Sequence, residues 1–221
     1  MCDFVQGMDC SFWNDLWDSA KRLRVLTFFN FQKAAEQGIK FAILKSTTGL
    51  TGKDSTYDTH LRDAKAAVLV TGAFHWYLPG LDPVMQAEWA VRGTGETDLP
   101  LFVDVEEKKF AAVKAGQMWP ALSRMLLRVE VLTHRQPIIY TNWDYWTTMM
   151  ADARDSDGWR LWIAGYRTGA PLVPLPWHPR QWSFWQYTDR AVAQRYGGPV
   201  GAGRALDMDL FAGSLDELKA L

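Results

Sequence analysis

Residues 100–107, "PLFVDVEE", set an apolar run against three carboxylates in the last four positions. In an extended strand residues i and i+2 leave from one face, so Asp104 and Glu106 share a side while Val105 takes the other. Their backbones then stand ~6.6 Å apart with side chains nearly parallel. Two carboxyls held close push their pKa values apart, and one keeps its proton near neutral pH. Glycoside hydrolysis needs such a pair: one protonated carboxyl serves the leaving oxygen, while a second group attends the developing oxocarbenium ion. With 12 Trp and 7 Tyr, flat faces for sugar rings are plentiful.

Competing chemistries find little support. His60, His75, His134 and His178 are scattered without ligand spacing, so no metal site is expected. There is no phosphate-cradling P-loop and no G-x-S-x-G elbow, and no cofactor is expected.

The elements that must position these acids alternate along the chain. Strand-like runs occur at "FVQGMD", 39–47, 68–77, 100–106, 137–141, 160–166, 181–188 and 205–211. Between the earlier ones lie helical stretches: "NFQKAAEQG" closed by Gly38, 55–67 with Tyr57, Leu61, Ala64 and Val68 on one stripe, a segment from Asp82 and Pro83 to a stop at Gly93, and roughly 115–134. Alternation at this spacing argues a parallel sheet of βα units. The last third instead offers strands joined by Pro- and Gly-rich loops. The expectation is an α/β fold, a single-domain TIM-like barrel over 1–221, with about five βα units and three final strands lacking helices.

Catalytic residues of such barrels collect at the C-terminal ends of strands. Asp104 and Glu106 end one strand, Asp9 another, and Asp207 the last run, with His75 to Tyr77, Tyr140, Tyr166 and Gln186 to Thr188 at further ends. A strand-terminal acid by itself more often caps a helix or pairs with a basic neighbour. Three such strand ends, one carrying an i,i+2 pair, weigh against that reading.

Composition sets the outer bounds. An apolar fraction of 48% supports a sizeable core, and a net charge of −1 gives no footprint for nucleic acid. No apolar run approaches the ~18 residues of a membrane span. The first ten residues, "MCDFVQGMDC", lack basic and apolar signal-peptide regions, so synthesis in the cytoplasm is expected. Cys2 and Cys10 are the only cysteines and read as free thiols. A monomer is expected.

Eight segments, "GMDCSFWN" (7–14), "GIKFAILKSTTG" (38–49), "GAFHWYLP" (72–79), "LFVDVE" (101–106), "PIIYTN" (137–142), "LWIAGY" (161–166), "WQYTD" (185–189) and "LDMDLF" (206–211), occur in that order. Together they resemble the family-25 glycoside hydrolases, the Chalaropsis-type lysozymes, over nearly the whole chain. The resemblance implies a barrel whose last three strands lack helices. It also implies hydrolysis of the β-1,4 bond between N-acetylmuramic acid and N-acetylglucosamine, with peptidoglycan glycan strands as the partner. On the matching positions it implies Glu106 as proton donor, with Asp104 and Asp9 as further catalytic acids. The parallel projection of Asp104 and Glu106, together with the N-acetyl group beside the reacting carbon of the substrate, leads to the expectation that this group assists Glu106. Asp207 and Tyr140 match substrate-side positions. Trp162, Trp185 and Tyr187 sit in family motifs but have an equal reading as packing residues. Tyr77 is taken as substrate-binding from its strand end, and His75 as a hydrogen-bonded structural residue.

There are departures. Thr48 stands where the motif commonly has Glu, Phe74 where Tyr is usual before His75, and 16–29 looks like an insertion. Two other readings remain, a non-catalytic wall-binding barrel and a D-x-E type chitinase. Without a signal peptide or wall-binding repeat, action on the wall after release, as in phage lysis by an endolysin, is the expected setting.

Overall fold

The computed structural model describes residues 4–18, 25–108, 114–202 and 205–221. Eight strands close on themselves: β1 (Phe4–Cys10), β2 (Phe41–Thr48), β3 (Val70–Trp76), β4 (Leu101–Asp104), β5 (Ile138–Asn142), β6 (Arg160–Ala164), β7 (Phe184–Ala191) and β8 (Leu206–Ala212). Neighbours from β1 through β7 run parallel, and β1 pairs with β2 from Gly7 opposite Phe41 to Cys10 opposite Leu44. The closing strand β8 runs antiparallel to both β7 and β1. Seven α-helices occur among the described residues: α1 (Phe31–Glu36), α2 (Tyr57–Ala66), α3 (Pro83–Thr94), α4 (Trp119–Thr133), α5 (Trp143–Met149), α6 (Ala193–Tyr196) and α7 (Leu215–Lys219). The fold is a mixed α/β barrel, as the alternation predicts.

Strand alternation divides the core in two. Inward positions Val5, Phe41, Ile43, Phe102, Ile138, Phe184 and Phe211 fill the barrel, with Phe102 and Phe184 meeting edge-on at 5.2 Å. Outward positions Val103, Val105, Ile139, Leu161 and Ile163 pack against α3, α4 and α5 through Ala87, Leu122, Leu126 and Trp146. Each fully buried Phe, Leu or Ile of this kind contributes about 1.5–3 kcal/mol.

Several boundaries differ from expectation. Asp82 caps α3, its Oδ1 accepting from Val84 N and Met85 N at 2.9 Å, but the helix passes Gly93 and stops at Gly95, where φ is +68°. Val68, placed on the α2 stripe by its spacing, instead sits in the turn after that helix at φ +59° and is 88% exposed. The long helix begins at Trp119 rather than 115, with Pro120 in its first turn. In the 16–29 segment Leu16–Trp17 and Val25–Thr27 pair antiparallel, and residues 19–24 of it lie outside the described residues, as does Cys2. Cys10 is free and buried.

Candidate active site

At the end of the barrel where β1–β7 terminate, the inward side chains change from apolar to acidic. On β4 the inward series is Phe102, Asp104 and then, one step past the strand, Glu106, while Val105 faces the outer core. The strand-pleat argument therefore places both acids together, and they line a cavity of about 230 Å³ with Asp9, Asp207, Tyr140 and Lys45.

Asp9 and Asp207 reach it from adjacent strands, directly opposite each other in the β1–β8 register. The strand-end argument has Asp207 closing the last strand, and the structure corrects this. Asp207 lies near the beginning of β8, and only because β8 is antiparallel does its beginning meet the end of β1.

Asp104 is buried, and its Oδ1 has no hydrogen-bond partner among the described residues. Burial, reinforced by the Glu106 charge, holds its carboxyl well above the usual range, while Lys45 opposes this. Glu106 Oε2 accepts from Asn142 Nδ2 at 3.4 Å. Asn142 is itself fixed, because its Oδ1 accepts from Tyr145 N at 2.8 Å as the cap of α5. Burial raises the Glu106 pKa, with Asn142 and Lys45 acting against the rise. The Lys45 Nζ lies 4.3 Å from the centre of the Trp76 ring, held over its face.

A second network runs beneath Asp9. Gln186 Nε2 donates to Asp9 Oδ2 at 2.6 Å, and its Oε1 accepts from Tyr140 Oη at 3.0 Å and Tyr166 Oη at 2.6 Å. One layer deeper, Trp162 Nε1 donates to Asp209 Oδ1 at 2.8 Å. Asp209 is fully buried, and its Oδ2 has no hydrogen-bond partner among the described residues. Burial, then the mutual charge, raises Asp9, and burial raises Asp209. Asp207 is pushed up to about 8, by burial first and Asp9 second.

Of the residues singled out from sequence, Glu106, Asp104, Asp9, Asp207, Tyr140 and Trp162 converge here. Tyr77 does not. It is buried in the outer core among Ala87, Val105 and Trp119, and burial raises its phenol to about 12. Its neighbour Trp76, one residue earlier and therefore on the opposite face, lines the cavity instead. Trp185 and Tyr187 also point outward: the former donates to Gly165 O at 2.9 Å, and the latter accepts from Gln6 Nε2 at 2.9 Å. His75 is structural in its contacts, with Thr47 Oγ1 at 2.8 Å and burial lowering its pKa to about 4. Gln186 and Tyr166, named only among the strand ends, also line the cavity, whereas Lys45 and Asp209 are not singled out by the sequence. The signal for Asp209 was available, because it stands two residues from Asp207 as Glu106 does from Asp104.

The family model for glycosyl hydrolases family 25 matches residues 9–195. Lysozyme M1 of Streptomyces globisporus is 29% identical over 231 residues, covering 98% of this chain and 71% of that protein. A bacterial lysozyme from Streptomyces coelicolor superposes with a TM-score of 0.83 at 26% identity, covering 98% of this chain and 96% of that one. Muramidase from Trichobolus zukalii superposes at 0.81 with 27% identity, covering 98% of each chain.

Proposed function

The chain belongs to glycosyl hydrolase family 25, and on that premise we propose that it is an N-acetylmuramidase that cuts the β-1,4 bond between N-acetylmuramic acid and N-acetylglucosamine in peptidoglycan. It is a glycoside hydrolase, and its lysozyme and muramidase relatives support peptidoglycan as the substrate. Action on the cell wall after release from the cytoplasm is part of the proposal.

The observation that carries the reading is the unpartnered Oδ1 of buried Asp104 beside Glu106. A buried acceptor without a donor is costly, and an acetamido N–H of a bound sugar would satisfy it. Glu106, with its raised pKa, then protonates the glycosidic oxygen as the C1–O bond breaks. The N-acetyl carbonyl oxygen closes onto C1 from the far face, and Asp104 orients that group and balances the charge it acquires. Water, losing its proton to Glu106, opens the ring so formed. The parallel projection of Asp104 and Glu106 from one strand suits two groups on one side of the bond. A nucleophile and an acid facing each other across the bond would need different placement.

Peptidoglycan de-N-acetylated on muramic acid is expected to be cut far more slowly than the acetylated form. Equal rates, or a covalent sugar adduct on Asp104 found by mass spectrometry, would overturn the assisted mechanism.

A further inference from the structure

We propose that Gln186 is a positioning residue for the glycosidase reaction, its single amide holding Asp9, Tyr140 and Tyr166 in the orientation they present to the sugar at the cut bond. This rests on the muramidase reading and deepens it, by giving a task at the same site to a group that neither supplies nor takes a proton. All three partners line the cavity that also holds Glu106. They come from β1, β5 and the loop after β6, and the amide comes from β7, so one side chain ties together four parts of the barrel mouth.

The amide is aimed by its strand. Phe184 fills the barrel, and Gln186, two residues on, takes the same inward face. Its backbone is fixed on both sides, opposite Ala164 of β6 and Asp209 of β8, and its carbonyl accepts from Gly165 N at 3.0 Å. The β7–β8 register breaks between Gln186 and Thr188, so the regular ladder ends with this residue. Gln186 is only 3% exposed, which keeps bulk water from competing for its bonds.

The direction of each bond follows from the atom types. Oε1 can only accept, so the Tyr140 and Tyr166 hydroxyls both donate to it, at 3.0 and 2.6 Å. A phenol has one hydrogen, and with that spent both oxygens can only accept from a substrate hydroxyl or acetamido N–H. Nε2 can only donate, so Asp9 Oδ2 receives it at 2.6 Å, a bond that opposes the rise burial imposes on Asp9. The same amide therefore settles the polarity of three groups at the cavity. Tyr140 also has its ring set edge-on against Trp162 at 4.4 Å, whereas Tyr166 is 52% exposed and depends more on the tether.

The test is turnover of the full chain on soluble, uncrosslinked peptidoglycan strands, with kcat and KM followed from roughly pH 4 to 8. Gln186→Met keeps the length of the side chain and removes both polar atoms. Its kcat is expected to fall about ten- to hundredfold, with a smaller change in KM. Gln186→Glu separates positioning from packing. Protonated, its O–H can serve Asp9 and its carbonyl the two phenols; ionised, it has no donor and sets a like charge against Asp9. Its activity relative to wild type is therefore expected to be highest at the acid end and to fall roughly tenfold or more as pH rises. Far-UV circular dichroism and Tm at each pH check that the variants are folded. A folded Gln186→Met with wild-type kcat would overturn the proposal, and so would a ratio of Gln186→Glu to wild type that does not change with pH. Should Gln186→Met not fold, the second result decides alone. Wild type inert on these strands would sink the muramidase reading itself, and the positioning role with it.

Discussion

On β4, Asp104 and Glu106 stand near a cation and an amide, Lys45 and Asn142, and both oppose the rise in pKa that burial imposes on Glu106. Across the mouth, on β1 and β8, Asp9, Asp207 and Asp209 have neutral donors, Gln186 and Trp162, and otherwise one another. The residue types are the same and the barrel end is the same. The difference lies in what can offset a charge. The first group is equipped to exchange a proton, with its acidity set by opposed influences of comparable kind. In the second, burial and the neighbouring carboxylates raise the acids, because ionising all three would place like charges together. An acid-rich barrel mouth is thus two devices, one for proton transfer and one for shape and hydrogen bonding.

The strongest way to break this contrast is to remove the exchangeable proton. Glu106→Gln, isosteric but unable to donate, is expected to lower turnover on purified walls by about 10²–10⁴-fold with the fold intact. Retention of more than about a tenth of wild-type turnover would take Glu106 out of the role. Next in size is Lys45→Met. Lys45 lowers the pKa of both Asp104 and Glu106, so its loss raises both. Both limbs of the pH–rate profile should move to higher pH, with a loss of roughly ten- to hundredfold at neutrality, and an unmoved profile would count against the pairing.

A smaller effect sharpens the other side. Asp207 has a folded-state pKa of about 8, above its unfolded value, so between roughly pH 4 and 8 the folded chain binds the extra proton. Stability from this group is present at low pH and falls as pH rises through that window, by at most ~1.4 kcal/mol per pH unit. Asp207→Asn should flatten the fall in Tm between pH 5 and 8, and an unchanged slope would mean that Asp207 ionises normally. Smallest of all is Asp209→Asn, which keeps an acceptor for Trp162 Nε1 and removes one of the charges that raise Asp9. Its Tm should stay within a few degrees of wild type, whereas Asp209→Leu, which strands Trp162 Nε1, should cost about 1–3 kcal/mol by denaturant unfolding.

The proton-exchanging side was the legible one. Asp104 and Glu106 come from a single strand, and period-two alternation alone puts them together. The same rule read through residues 75–77 sends Trp76 inward and Tyr77 outward, which a grouping of strand ends without regard to face misses. The other side depends on partners distant in sequence, and no local pattern announces that Gln186 bonds Asp9, or that Trp162 bonds Asp209. The direction of β8 was hidden for a related reason. Parallel pairing needs a crossover of a dozen residues or more, usually helical, and between β7 and β8 the described helix is only Ala193–Tyr196. The loops rich in Pro and Gly signalled missing helices, but not the reversal that follows from them.

That reversal bears on when the enzyme becomes competent. The first strand pairs with the eighth from Phe4 opposite Ala212 to Asp9 opposite Asp207, so these contacts join regions separated by nearly the whole length of chain. Contacts of such high sequence separation form late, after the entropy of closing the intervening loop has been met. A nascent polypeptide can assemble β2 to β6 with their helices while Asp9 still lacks Asp207, Asp209 and Gln186. The catalytic mouth is then completed only after β8 has been made, and chains translated short of it would lack Asp207 and Asp209.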